Sequence, residues 1–481
     1  YGYNRSYFDN PQDFNRVNLV GKYTKRIGDN RLFSITANAF RSSWSASGQI
    51  PERAVTEGII DRFGELDHEG GKTSRYQLNL QYTQSLSKNA TFKTNLYAGY
   101  YDFSLYSDFT FFLIDPIHGD EIHQAESRIY AGYNASYSLR HKIGKLEAKT
   151  EIGIGFRNDD TYNSELSHTE NTVFLNSIRL GDIHETNPFA YAQESVHLLP
   201  QLVATLGTRY DYFIQTYDNK IPTTEELPKA TYNNGVFSPK AGLYYNFGKT
   251  GRVYANYGIG FHSNDARDIY FRPESGGEVL PLEFALDLGV VIKPVPSLLI
   301  QFAVFNMTLQ QEYTYSGDAG DVPSLNGKTR RMGVDFSGRY ALTKWMYLDA
   351  DLNYTHARYV DKPEGQNYVE LAPSFTSIGG ITIKPFKDFS AGLRYRLMAD
   401  RPANTENTVI APGYNVIDFT ANYSRPRYEL GFQIQNLTNT KWNEAAVDTE
   451  TRLKNETAPV DELCFTPGTP FFMKLSATWK F

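Results

Sequence analysis

The stretch that decides the fold is FFMKLSATWKF, residues 471–481. Phe471, Met473, Leu475, Ala477, Trp479 and Phe481 are apolar, while Lys474, Ser476, Thr478 and Lys480 between them are polar. Alternation with period two sets one face of a strand against an apolar medium and the other against water. The pattern recurs upstream. Tyr76, Leu78, Leu80 and Tyr82 alternate with Arg75, Gln77, Asn79 and Gln81, and Val253, Ala255, Tyr257, Ile259 and Phe261 alternate with Arg252, Tyr254, Asn256, Gly258 and Gly260. Met346, Leu348, Ala350 and Leu352 alternate with Tyr347, Asp349 and Asp351 in the same way, as do Tyr428, Leu430, Phe432 and Ile434 with Glu429, Gly431 and Gln433. A soluble fold would have to hide all these faces in one core, and no helical period competes.

Composition says what the apolar medium is. Aromatic residues make up 15% of the chain, with 35 Tyr and 31 Phe, yet the mean hydropathy is negative. No run of about 18 apolar residues is present to form a membrane helix. A transmembrane β-barrel has this composition, because polar lumen residues and long loops dilute the lipid-facing ones. The net charge of -6 offers no basic stripe for nucleic acid. One cysteine, Cys464, allows no internal disulfide and reads as a lone loop thiol. The opening YGYNRSYFDNPQDFNR is no signal peptide, so the chain is expected to be mature or cut from something longer.

Read by alternation, residues 1–481 form a single all-β domain, a transmembrane antiparallel barrel with about 19 spanning strands, the last two at 427–440 and 469–481. Short turns, such as GDN at 28–30 and KTG at 249–251, take turns with long loops, among them 46–72, 106–125, 159–181, 263–278, 360–370, 401–411 and 441–468. In outer-membrane barrels short turns face the periplasm and long loops face outside, so the first and last strands both descend. An even strand count with both ends periplasmic is the rule for these barrels. An odd number of strands is therefore expected ahead of Tyr1, in a longer protein.

On these residues the chain resembles the C-terminal barrel of TonB-dependent outer-membrane receptors. KLSATWKF matches the assembly signal of outer-membrane barrels, with Lys474, Ser476, Trp479 and Phe481 in its places and Ser476 where glycine is usual. FSPKAGLYYNF at 237–247, RVYANYGIGFHSNDARD at 252–268 and LGFQIQNLTNTKW at 430–442 carry the rest of the likeness. The resemblance implies a barrel of about 22 strands around an N-terminal plug, the plug lying outside this chain. It also implies a cell outer membrane location in a Gram-negative bacterium, contact with lipid and lipopolysaccharide, no cofactor, and a TonB complex acting through the plug segment. The cargo would be a scarce small molecule or chelate: a siderophore, cobalamin, glycan or metal complex.

Several residues invite a chemical role. His262, Asn264, Asp265 and Arg267 stand where a strand leaves the membrane, either as ligand contacts or as a salt-bridged corner. Arg53 and Arg62 sit in a long loop, QIPERAVTEGIIDRFGELDHEGG, that is expected to hold a short amphipathic helix. Together these six are the candidate ligand contacts. DPIHGDEIH at 115–123 gathers His118, Asp120, Glu121 and His123, but the spacing has no metal signature and no metal is expected there. The neighbouring FTFFLID at 109–115 is an apolar loop stretch suited either to folding over the mouth or to touching a partner. Arg209, Asp211, Asp349, Asp351 and Asp418 point into the lumen and are expected to pair with a plug. No catalytic constellation emerges, so an enzyme is not expected. A passive porin is the main rival to active uptake, and an outer-membrane hydrolase a more distant one.

Overall fold

Alternating strands joined by turns build one antiparallel meander. The structure is a computed structural model, and it describes residues 2–4, 6–223, 228–271, 278–314 and 324–480. Each long strand pairs with its sequence neighbour, from Phe14–Ile27 against Arg31–Ala46 to Tyr428–Gln435 against Phe472–Trp479. Lys229–Phe237 and Lys240–Phe247 both lie along Leu202–Asn219 and form one course, broken where Pro239 has no N–H to give the ladder. Among the described residues the sheet stays open: Gly2–Asn4 forms one edge, on Phe14–Ile27, and Phe472–Trp479 the other. The edge strand Phe472–Trp479 is exposed on both faces. Phe481 lies outside the described residues. Of the assembly-signal residues that are described, Lys474 pairs with Gln433, Ser476 packs against Gly431, and Trp479 stacks on Tyr428 at 6.4 Å.

The two faces differ as the period-two pattern requires. Leu78, Leu96, Ile129 and Ile154 are 43 to 60% exposed, so this apolar face is no protein core. On the opposite face polar side chains bond across strands: Asn79 Nδ2 donates to Asn95 Oδ1 at 2.8 Å and Asn38 Nδ2 to Asn18 Oδ1 at 3.1 Å. The charges expected to pair with a plug find partners on the sheet itself. Arg209 bonds Asp211 at 2.7 Å, Arg394 bonds Asp349 at 2.7 Å, Arg339 bonds Asp351 at 2.7 Å, and Arg396 approaches Asp418 at 3.7 Å. The reason is geometric. Residues two apart in a strand share a face, so Arg209 reaches Asp211 without help from another element.

Glycines on this inner face hold aromatic rings from the next strand. A Cβ on Gly132 would meet the Tyr97 hydroxyl at 2.3 Å, and one on Gly153 would meet the Tyr191 ring at 2.3 Å. Gly132→Val should therefore displace the Tyr97 ring and cost about 1–3 kcal/mol, the usual scale of overpacking. Urea unfolding read by heat-modifiable gel mobility checks this; an unchanged midpoint would show that the ring does not need the glycine.

The loop side departs from expectation in three places. Residues 159–181, read as a loop, extend a hairpin of Leu146–Glu170 and Val173–Leu199. Asn171 and Thr172 make its turn, with φ of 50° and 65°, the pair of left-handed residues that a tight type I′ turn needs. At roughly 3.3 Å per residue these strands far outrun the 9–11 residues needed to cross a bilayer. The strand expected over 427–440 stops at Gln435, because Asn436 turns with φ 51°. Its side chain accepts from Thr440 N at 2.8 Å and donates to Thr440 O and Thr469 O at 2.8 and 3.0 Å, tying the next loop down. Finally, residues 441–468 are no plain loop. Asn443–Thr451 and Val460–Pro467 pair as a hairpin, which Ile50–Pro51 joins as a third strand. Cys464 is buried in this small sheet, and burial pushes its thiol up to about 12.

Candidate functional site

The candidate residues separate into two clusters at the loop end of the sheet. Past Gly251–Phe261 the chain turns into a six-residue helix, Ala266–Phe271. Arg267 folds back on Asp265, with Nε and Nη2 donating at 3.1 and 2.9 Å, and its Nη1 donates to Ser164 Oγ at 2.8 Å on the long hairpin. Burial works against the Asp265 charge, but Arg267 and Arg128 outweigh it and hold the carboxyl below its usual range. Asn264 is fully buried: its backbone oxygen accepts from Gln215 Nε2 at 2.7 Å and its Nδ2 donates to Glu278 O at 2.5 Å. Behind them Ile183, Tyr217, Ala266 and Tyr270 form a core, with the Tyr217 and Tyr270 rings 4.8 Å apart. Asn264, Asp265 and Arg267 thus form the corner, and the exposed His262 side chain stands at its rim.

Arg53 and Arg62 belong to a second cluster. The expected helix is present but short, Glu52–Thr56, and it turns Arg53 inward rather than towards solvent. Its guanidinium bonds Glu456 with Nε and Nη2, both at 2.7 Å, bonds Glu462, and donates to Thr451 Oγ1 at 2.8 Å. Burial alone would weaken this cation, but the two carboxylates reverse the effect and raise its pKa. Arg62 lies over the Phe465 ring at 4.7 Å and bonds Trp442 O and Asn443 Oδ1. Ile50, Ala403, Ala411, Ala446, Leu463 and Phe465 are the core beneath. These two arginines fasten a folded cap made of segments about 400 residues apart in sequence.

The side chains of His118, Asp120, Glu121 and His123 are each committed to protein partners. His118 Nδ1 bonds Asp115 at 2.9 Å, Asp120 accepts from Thr110 Oγ1 at 2.7 Å and from Asp115 N at 2.7 Å, and Glu121 accepts from Thr172 N at 2.9 Å. His123 bonds Ser104 at 2.9 Å and stacks on Tyr106. No three His, Cys, Asp or Glu side chains among the described residues are arranged to hold a metal.

A carboxyl cluster that sequence reading missed lies beside them. Glu69 and Asp108 are almost fully buried, and burial first, then neighbouring carboxylates, pushes each up to about 8. The sequence signal, Glu69 followed by Gly70 and Gly71, is too slight to find it. A cavity of about 530 Å³ adjoins Asp108, walled by Leu66, Phe111, Phe112 and Leu453 and rimmed by Asp67 and Glu121.

An open antiparallel sheet with an apolar outer face, a polar inner face and a folded loop cap is the architecture of a transmembrane barrel wall. The family model described as TonB dependent receptor-like, beta-barrel matches residues 2–437, and the chain belongs to that family. Its members are transport receptors of the Gram-negative outer membrane, not enzymes. Solved structures share the fold. The unliganded ferric citrate transporter FecA superposes with a TM-score of 0.82 at 16% identity, over 98% of this chain and 70% of its own. The ferric-catecholate import receptor Fiu from E. coli K12 gives 0.77 at 13%, over 100% and 76%. The siderophore receptor PiuA from Acinetobacter baumannii gives 0.74 at 12%, over 99% and 76%.

Proposed function

We propose that the chain forms the barrel wall of an active importer, which captures a scarce solute among its loops and releases it inward when TonB acts on a plug in the lumen. The observation that carries this reading is the folded loop cap. A passive pore gains nothing from a buried Arg53 network and a separate three-stranded sheet above its mouth, whereas a receptor needs an ordered surface for its ligand. Names of similar structures, ferric citrate and ferric-catecholate receptors among them, support a metal chelate as the cargo class. His262 is the candidate contact of the corner, and Asn264, Asp265 and Arg267 position it. Lipid and lipopolysaccharide bathe the apolar outer face.

The test is energised uptake. Cells carrying the full-length receptor should accumulate labelled ferric citrate or a ferric catecholate only when TonB is present and the proton gradient intact. Accumulation that persists after an uncoupler, and that admits unrelated solutes of similar size, would make the protein a porin.

A further inference from the structure

Arg401 begins the loop that follows the strand Phe389–Met398, in a short hairpin of Arg401–Pro402 with Ile410–Ala411. Its Nε and Nη2 are buried and make no hydrogen bond. Burial lowers the pKa of this guanidinium, and the neighbouring Tyr414 hydroxyl only partly offsets that. Arg401 lines a cavity of about 270 Å³ between the 360–374 and 399–413 loops, together with Arg358, Tyr368, Ser374, Asp400 and Asn407. Of the carboxylates near it, Asp400, itself in the wall, accepts from Gly413 N with Oδ1 at 2.7 Å, and Glu370 accepts from the Tyr359 hydroxyl at 2.8 Å. Arg358 lies flat on the Tyr368 ring at 4.1 Å and donates once, to Ala357 O at 2.7 Å.

A guanidinium has five N–H donors in a fixed fork, suited to two oxygens of one oxyanion. A desolvated cation with its donors unused is costly unless something pairs with it. Arg53 and Arg267 on the loop side have carboxylate partners on this chain, and Arg62, which has none, donates to Trp442 O and Asn443 Oδ1. Arg401 has two buried donors, a second arginine in the same wall, and a space beside them. We propose that this cavity is an oxyanion site, taking a phosphate or carboxylate group on Arg401 with Arg358 as the second cation. At about 270 Å³ it falls just below the range of drug-sized pockets, so it fits one anionic group and not a whole chelate. The group comes either from a dissolved ligand or from a lipopolysaccharide phosphate. The assignment does not depend on TonB-driven uptake.

Chemical labelling of the purified chain tests it without any variant. Phenylglyoxal modification at Arg401, followed by peptide mass spectrometry, should slow by roughly 10-fold or more in inorganic phosphate or citrate, the scale of a charged hydrogen bond. Arg53, already paired, is the internal control whose rate should not respond. Protection by phosphate or citrate in detergent micelles supports a dissolved ligand at the site. Protection only by vesicles containing lipopolysaccharide supports the same site with a lipid source. An Arg401 rate that none of these anions changes overturns the proposal. So does an Arg401→Met variant that keeps the thermal shift phosphate gives the parent chain.

Discussion

Arg53→Met is expected to release the loop cap while leaving the membrane strands in place. Without the guanidinium, Glu456 and Glu462 face each other with no cation between them, and Thr451 loses its donor. Removing one partner from a buried ionic network typically costs 3–5 kcal/mol. Because the two carboxylates keep about a fifth to a quarter of their exposure, the lower end, about 3 kcal/mol, applies. Amide exchange over 443–467 and 50–56 should then quicken by roughly 100-fold, since local opening follows the local free energy. Amides of the strand Glu69–Ser85 should not change. Arg53→Lys should recover little of the protection, because a point charge cannot reproduce the bidentate pair with Glu456 together with the bonds to Glu462 and Thr451. Wild-type exchange in the methionine variant would show that the cap stands on its apolar core alone.

What was legible in the sequence was whatever period two encodes. Leu78, Ile259 and Leu352 fall on one face and Gln77, Gly258 and Asp351 on the other, because a strand's alternation survives any tertiary context. The loop architecture was not legible, for different reasons at different places. SELSHTENTVFLNS, inside 164–177, has no clean alternation, since a hairpin standing clear of the bilayer has no lipid to face. Arg53 was read as a ligand contact from its loop and its charge, yet its partners lie about 400 residues away. No local pattern records a contact of that kind. In the corner, the pairing of Asp265 with Arg267 was readable from spacing, while the burial of Asn264 depends on Gln215 and Glu278 from other segments. Arg401 carries no sequence signal, because an unpaired cation differs from a paired one only in what surrounds it.

The loop cap should also tighten in acid, against the common trend for carboxylate-rich proteins. Glu69 is pressed under Gly48, whose positive φ of 66° and lack of a side chain let the loop close over the carboxyl. Asp108 accepts from Phe111 N at 2.7 Å, and the Asp67, Asp120 and Glu121 carboxylates lie around the pair. Both buried groups are pushed up to about 8, from ordinary values of 4.5 and 3.8. A folded pKa above the unfolded one means that the folded form holds its proton more tightly. Its contribution is complete below about pH 4, and it is lost as pH rises towards 8. For Glu69 alone the shift corresponds to something on the order of 4 kcal/mol between these limits. Amide protection over 46–48, 66–71 and 107–121, corrected for the intrinsic rate, should therefore fall between pH 5 and pH 9. Glu69→Gln keeps the shape without the charge, so it should remove the Glu69 share of that dependence, and Glu69→Gln combined with Asp108→Asn should flatten most of it and leave the cap closed at high pH. Protection that instead rises with pH in the parent chain would mean that the pair is ionised when folded, with a cation supplied from outside this cluster.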